Sequence, residues 1–465
     1  MIMNVLTFLL PEIILVILSF ALLANSIVNY KRKIMANKTM ILVGIIASGF
    51  FILKTPEGFY LNSTFENTSS TKIIKLLLIF GSLLSLSLIS NSKTDQLKKY
   101  LDEYSFLLIV SLVGGMLVVS SREFFGLIIS VELLSIPLYL ISGMGLDPSK
   151  SIEAATKLFF FGTLSTVFLI FSAVLFYSLS GSTYFVDINW ALDDYIIILA
   201  SIFLLATISF KCALYPFHFW VSDTYEAAPI NMLPFLSTIP KISIIAFLLF
   251  FFDGLVAELL NKKIIFIVGF LSVISIFFGS LLVIKQNNLL RLLAYSGIPH
   301  AGIMLIGIIV PSSISLDFII LYFTFYIFAN VGLYVCLNCL PTVIENFNLD
   351  KLNGLYERNP FLALSISCFL LSLAGAPLFG GFWGKFNIAL ISYKAYGVFL
   401  PSAILLSVLI SFYYYLKIIR AIFNHKQFNQ VENIDFSMIN KIIITICVFI
   451  TIILGINPAI LQILT

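Results

Sequence analysis

Apolar runs of about twenty residues alternate along this chain with short polar breaks. A helix rises about 1.5 Å per residue, so about 20 apolar residues cross the hydrocarbon core of a bilayer. The pattern predicts spans near 5–28, 39–54, 72–90, 104–120, 122–145, 151–178 and 194–220. It continues with spans near 228–252, 262–284, 288–310, 313–340, 360–394, 397–424 and 440–463. That makes about fourteen helices, with no hydrophilic stretch long enough for a soluble domain. The run from Val5 to Val28 is too long for the core of a cleavable signal and lacks a basic segment before it. It is read as a permanent first span.

Composition agrees with the pattern. Hydrophobic residues make up 60% of the chain and charged residues 11%, with a mean hydropathy of +1.07. A soluble globular protein carries roughly 25% charged residues, so lipid is the solvent this surface suits. The net charge of +4 is small and no long block of like charge occurs, which removes nucleic acid from the expected partners. Cys212, Cys336, Cys339, Cys368 and Cys447 all lie in apolar stretches. Cys336 and Cys339 form a CxxC, but no second ligand pair lies nearby. They are read as packing residues, with no disulfide framework, zinc or iron–sulfur cluster expected. No Walker loop, dinucleotide fingerprint or HExxH motif is present.

Basic residues in the loops set orientation. Lys31, Arg32, Lys33 and Lys38 follow the first span, and Lys93, Lys98 and Lys99 the third. Later odd-numbered loops carry Lys150, Lys285, Arg291, Lys351, Arg358, Lys417, Arg420 and Lys426. Even-numbered loops are poorer, with Lys54, Lys72, Lys75, Arg122, Lys262, Lys263 and Lys394. The loop after the sixth span has Asp187, Asp193 and Asp194. The odd loops are therefore expected in the cytoplasm and both termini outside.

Two spans contain a proline in mid-membrane. One runs from Phe210-Lys211 through Pro216-Phe217-His218-Phe219-Trp220. The other runs from Gly375-Ala376-Pro377 through Gly381-Phe382-Trp383-Gly384-Lys385. Proline removes a backbone donor, and an unpaired carbonyl in lipid is costly unless protein or water satisfies it. The segments lie about five spans apart, and an odd number of spans inverts the second relative to the first. The expected architecture is an all-α integral membrane protein holding two inverted-topology five-helix repeats, each with a broken helix. Helices 1–3 would occupy 1–103, the repeats 104–252 and 253–424, and the last helix 425–465.

Several ionisable residues fall inside these spans: Glu132, Lys157, Lys211, His218, Lys241, His300 and Lys385. A charge at a helix centre costs about 2.5–3.5 kcal/mol on insertion scales, and such a residue is by default a functional candidate. Plainer roles exist for each. Lys157 and Lys385 can snorkel, Glu132 can be a structural partner, and the histidines can be hydrogen-bonded core residues. Together they suit a proton relay. Burial favours neutral lysine, a nearby carboxylate favours the charged form, and histidine titrates near neutral pH. Glu132 moving toward or away from Lys157 would set whether that lysine keeps its proton. The reading is a chain of protonatable groups across the membrane plane.

These residues and their surroundings resemble a known family, the antiporter-like subunits shared by respiratory complex I and Mrp-type sodium/proton antiporters. The resemblance covers nearly the whole chain. It rests on Glu132, Lys157, the Lys211 to Trp220 segment, Ala227-Ala228-Pro229, Pro240-Lys241, Ala294 to His300, and the Gly375 to Lys385 segment. Gly297 and Pro299 stand where relatives often show Ser and Ala. Leu10-Pro11-Glu12-Ile13-Ile14-Leu15, a lysine at 385 and an end soon after the last span resemble the subunit N branch.

The resemblance implies a proton-translocating subunit of NADH:quinone oxidoreductase in a bacterial inner membrane. It implies that NADH, FMN, iron–sulfur clusters and quinone belong to the rest of the complex, with no cofactor in this chain. Partners would be other membrane subunits, lipid and protons, and both termini would be periplasmic. Two other readings stand beside it: an Mrp-type cation/proton antiporter subunit, and a membrane scaffold whose buried charges merely pair.

Overall fold

In lipid the backbone must bond to itself, and an apolar run of this length does so as a helix. The computed structural model describes residues 2–28, 34–89, 100–145, 147–190, 195–256, 262–310, 313–340, 347–424 and 437–458. Lys31, Arg32, Lys33, Lys93, Lys98, Lys99, Asp193, Asp194 and Lys426, used above to orient the chain, lie outside the described residues.

The chain divides into two units, Met1–Cys212 with Ala227–Ile264, and Ala213–Glu226 with Ile265–Leu464. The first contains α1 (Ile2–Val28), α2 (Ile34–Lys54), α3 (Ser69–Ile89), α4 (Leu101–Ser120), α5 (Phe124–Ser142) and α6 (Pro148–Ser180). It also holds α7 (Tyr195–Lys211), while α8 (Phe219–Ala227) lies in the second unit except for its last residue. The first unit then takes up α9 (Leu233–Val256). α10 (Lys262–Ile284) begins in the first unit and continues in the second. The second unit adds α11 (Leu289–Ile308), α12 (Ser313–Asn338), α13 (Pro360–Ala374), α14 (Gly380–Tyr396), α15 (Phe399–Phe423) and α16 (Met438–Ile456). Among the described residues, 12 helices are long and apolar enough to cross a membrane. α7 and α13 are shorter apolar helices.

Most of these elements match the apolar runs. The run at 194–220 is corrected: α7 stops at Lys211 and a new short helix starts at Phe219. The run at 360–394 likewise becomes α13 and α14. Helix starts follow local chemistry. Asp147 caps α6 by accepting from the Ser149 and Lys150 amides at 3.1 and 3.4 Å, with Pro148 in the first turn. The Ser149 hydroxyl also donates to it, and that bond holds the Asp147 carboxyl below its ordinary range.

In the first unit α4 is the central helix, packed on α1, α3, α5 and α9. Gly114 allows the approach to α5, because a Cβ there would run into the backbone of Leu133 and Leu134. Ser111 Oγ donates to the Leu134 carbonyl at 2.7 Å across the same contact. In the second unit α12 takes this place, packed on α11, α13, α14 and α16.

A two-stranded hairpin joins α2 to α3. β1 (Gly58–Tyr60) pairs antiparallel with β2 (Phe65–Asn67), Tyr60 opposite Phe65. Tyr60 stacks between Phe8 and Phe65, and Arg122 binds Glu66 at 2.8 Å. Lys75, assigned to a loop by sequence, is inside α3. Its ammonium lies 2.8 Å from Glu12 of α1 and donates to Asn67 Oδ1 at 3.0 Å, with both charged side chains buried. The position of the helix start accounts for the correction: α3 begins at Ser69, so Lys75 is nearly two turns inside it.

Removing one member of a buried pair leaves an uncompensated charge, at a cost of about 3–5 kcal/mol. Lys75→Met is expected to lower the thermal unfolding midpoint of the detergent-extracted protein. Lys75→Met combined with Glu12→Gln is expected to recover most of that loss. Equal midpoints for wild type and Lys75→Met would show that the pair holds nothing together.

Candidate functional site: buried lysines at helix breaks

In the first unit, α7 carries Lys211 into its last turn, and its side chain is 8% exposed. Nζ donates to Ser135 Oγ at 2.8 Å and to the Tyr139 hydroxyl at 2.9 Å, both on α5. Glu132 precedes them on the same helix, and positions 132, 135 and 139 share one face by helical spacing. The Glu132 carboxylate accepts from the Thr166 hydroxyl and lies within electrostatic reach of Lys211. Lys157 forms an ion pair with Glu153 one turn earlier on α6, at 2.6 Å, and is partly exposed.

Lys241 lies in α9, directly after Pro240 inside the helix, and is 2% exposed. Its ammonium has no hydrogen-bond partner among the described residues. An ammonium in apolar surroundings without a partner carries a large desolvation cost. Its burial energy therefore changes by several kcal/mol when its proton comes or goes.

In the second unit the chain enters through Ala213, whose φ of 58° lies in the left-handed region, and reaches α8 at Phe219. His218 sits just before that helix, so it does not share a helical face with Lys211. Its Nδ1 lies 3.2 Å from the Pro216 carbonyl, and its ring packs against Tyr215 and Tyr295. α8 is tied to α11 by polar contacts. Arg291 reaches Glu226 at 2.8 Å and Asp223 at 3.3 Å, and the Tyr295 hydroxyl donates to Ser222 at 3.1 Å. Further along α11, buried His300 has Nδ1 2.8 Å from the Tyr322 hydroxyl.

Lys385 shows why a break matters. α13 ends at Ala374 and Gly375 caps it with φ +90°, a conformation glycine adopts readily. The last carbonyls of a helix lack partners within it. Lys385, on α14 and 3% exposed, donates to the Leu373 carbonyl at 2.6 Å and the Ala374 carbonyl at 3.0 Å. A cation at the negative end of a helix is also favoured by the backbone dipoles. The ammonium and the helix end satisfy each other in a place lipid would forbid to either alone.

Sequence reading missed the hydroxyl pair Ser135 and Tyr139. Their spacing of three and seven from Glu132 on one helix was the available signal. It also missed Glu12 with Lys75, because only the fold brings α1 and α3 together. Among the described residues, no group of three or more His, Cys, Asp or Glu side chains is placed to hold a metal ion.

Known proteins share both the sequence and the fold. The family model described as NADH:quinone oxidoreductase/Mrp antiporter, TM, matches residues 121–411. The chain is 30% identical over 455 residues to NADH-quinone oxidoreductase subunit N 1 of Thermodesulfovibrio yellowstonii, covering 97% of this chain and 96% of the relative. It is 33% identical over 435 residues to subunit N of Pelagibacter ubique, covering 91% of each. A chain of respiratory complex I from Thermus thermophilus superposes with a TM-score of 0.84 and 25% identity, over 98% of this chain and 99% of that one. A chain of the Mrp complex from Dietzia sp. superposes with a TM-score of 0.81 at 16% identity, over 100% and 96%, a likeness of fold.

Hydrogen bonds to a charged group contribute about 1.5–3 kcal/mol each. Tyr139→Phe removes one of the two hydroxyls on Lys211 while keeping the ring. It is expected to destabilise the protein by that amount in thermal unfolding, and Ser135→Ala with Tyr139→Phe by more. No change in either variant would mean that the hydroxyls do not hold the ammonium.

Proposed function

Because the chain belongs to the NADH:quinone oxidoreductase/Mrp antiporter transmembrane family, we propose that it is a proton-translocating membrane subunit of an NADH:quinone oxidoreductase. The observation that carries the reading is the set of three lysines, Lys211, Lys241 and Lys385, buried inside apolar helices. It is supported by likeness over nearly the full chain to relatives named subunit N.

In this reading redox energy released in other subunits moves protons through side chains of this one. Glu132, Lys157, Lys211 and Lys241 in the first unit, and His218, His300 and Lys385 in the second, take up and release them. Glu132 stabilises a proton on Lys211 through its charge, while Ser135 and Tyr139 hold the ammonium in place. Histidine exchanges protons near neutral pH and suits the steps between lysines. NADH, FMN, iron–sulfur clusters and quinone are assigned to other subunits, with which this chain packs in the membrane.

The reading includes a topology. The pairs α7/α8 and α13/α14 are each counted as one broken span, which brings the 12 long helices to fourteen. Residues 104–252 and 253–424 form the two inverted repeats, with 1–103 before and 425–465 after. The protein crosses a bacterial inner membrane with both termini on the periplasmic side. Breaks in corresponding places, each close to a buried lysine, support the repeat.

The similarity of fold to an Mrp complex chain keeps one competing function, a cation/proton antiporter subunit without a redox partner. A tagged chain, mildly solubilised and run on a native gel stained for NADH dehydrogenase activity, separates the two. Co-migration with a large NADH-oxidising band is expected. A band without that activity, together with sodium-dependent pH change in vesicles lacking NADH, would replace the proposal with the antiporter.

A further inference from the structure

Both helix breaks are followed by Phe-Trp, at Phe219-Trp220 and Phe382-Trp383, and the relay above uses neither tryptophan. Trp383 lies half-buried in the first turn of α14. Its indole Nε1 donates to the Gly455 carbonyl of α16 at 2.8 Å. The last four carbonyls of a helix have no partner within it, and Gly455 is the next-to-last residue of α16. A ring alone would be served by phenylalanine, which α14 uses at Phe382 and Phe386. The N–H is what tryptophan adds.

This bond has a counterpart on the other side of α14. Lys385 donates to the Leu373 and Ala374 carbonyls at the end of α13. Side chains two apart on a helix point about 200° apart, so Trp383 and Lys385 reach from opposite faces. The start of α14 thus supplies a donor to the end of each of two helices and is held between them. Contact on both sides is close. A Cβ at Gly381 would run into the Ser372 carbonyl of α13, and one at Gly455 into the Leu378 carbonyl of the break.

The break itself carries a residue that needs holding. Leu378 has a φ of 77°, in the left-handed region that leucine rarely adopts. Its side chain is 73% exposed, so packing of the leucine does not impose that conformation. Such backbone persists where the surroundings over-determine it. Here α16 meets the break through Gly455, against the Leu378 carbonyl and under the Trp383 indole. The Phe379 amide closes the turn on the Ala376 carbonyl at 3.3 Å.

We propose that Trp383 is a positioning residue for Lys385. Anchored to the end of α16, it fixes the start of α14 where the Lys385 ammonium meets the last carbonyls of α13. Hydrogen bonds weaken as the distance grows and the angle closes. A shift of the α14 start therefore changes how firmly those carbonyls hold the ammonium. α16 contributes no residue to the relay, yet it sets the reach of one. The consequence for proton transfer rests on the proton-translocating reading above.

Hydrogen–deuterium exchange of the intact solubilised assembly, read by mass spectrometry over residues 376–382, tests the anchor without any pumping. Trp383→Phe keeps a ring and removes the donor. It is expected to speed exchange in that segment about tenfold, the factor that matches about 1.4 kcal/mol. Gly455→Ala disturbs the same contact from α16 and is expected to do likewise. Unchanged exchange in both variants would overturn the anchor. A cycle of variants tests the positioning. It reads protons translocated per NADH oxidised in vesicles, with assembly and electron transfer to an artificial acceptor retained. Trp383→Phe is expected to lower this ratio in the wild-type background and to have no further effect beside Lys385→Met. A residue that only stabilises the fold would lower the amount of assembly and leave the ratio unmoved. An unchanged ratio, or an equal drop in both backgrounds, would overturn the proposal. Failure of the proposed function reads differently, because Lys385→Met alone would then leave the ratio unchanged while the exchange result still decides the anchor.

Discussion

A lipid-embedded chain must place every cation and every helix end where something answers it. The bond from Lys385 to the last carbonyls of α13 meets both demands at once. Without the break those carbonyls would be bonded within the helix and unavailable to an ammonium. Without the ammonium the Leu373 carbonyl would lose this partner, and the Ala374 carbonyl would keep the Ser411 hydroxyl, at 3.1 Å. Lys211 meets the same demand by different means, at the last turn of α7, with the hydroxyls of Ser135 and Tyr139. In both places the interruption of a helix and the burial of a lysine are one feature.

Buried charges in this protein fall into two kinds. Buried Lys75 with Glu12 and Asn67, and half-buried Arg122 with Glu66, are directly paired and hold the hairpin and first helices together. Such pairs have little reason to exchange protons, since each partner stabilises the other's charge. The hydrogen bonds to Lys211 and Lys385 come from neutral groups, with Glu132 within electrostatic reach of Lys211, and Lys241 has no hydrogen-bond partner among the described residues. A lysine hydrogen-bonded by neutral dipoles can be emptied and refilled without breaking a direct ion pair. This difference sets Lys211, Lys241 and Lys385 apart from Lys157, the fourth lysine of the proposed relay, which is partly exposed and paired with Glu153.

The apolar runs made most of the helices legible, because a span in lipid has a length fixed by the bilayer and composition on every side. The prolines at 216 and 377 marked the breaks. They did not show that α7 would end before Pro216, at Lys211, because the helix end depends on which groups receive its carbonyls. The charged candidates were also visible, since an ionisable residue in an apolar run stands out. Their partners were not. Tyr139 and Tyr322 read as ordinary membrane aromatics until the fold brought them to Lys211 and His300. Lys75 read as a loop residue because hydropathy places a helix start only to within about a turn.

The central claim is that protons pass through buried lysines whose hydrogen bonds are to neutral groups. The most direct measurement is the ratio of protons translocated to NADH oxidised, in vesicles, by assembled complex carrying Lys211→Met or Lys385→Met. The account predicts a lower ratio in each variant, with assembly and electron transfer to an artificial acceptor retained. An unchanged ratio in both would contradict it and leave these lysines as structural cations at helix breaks.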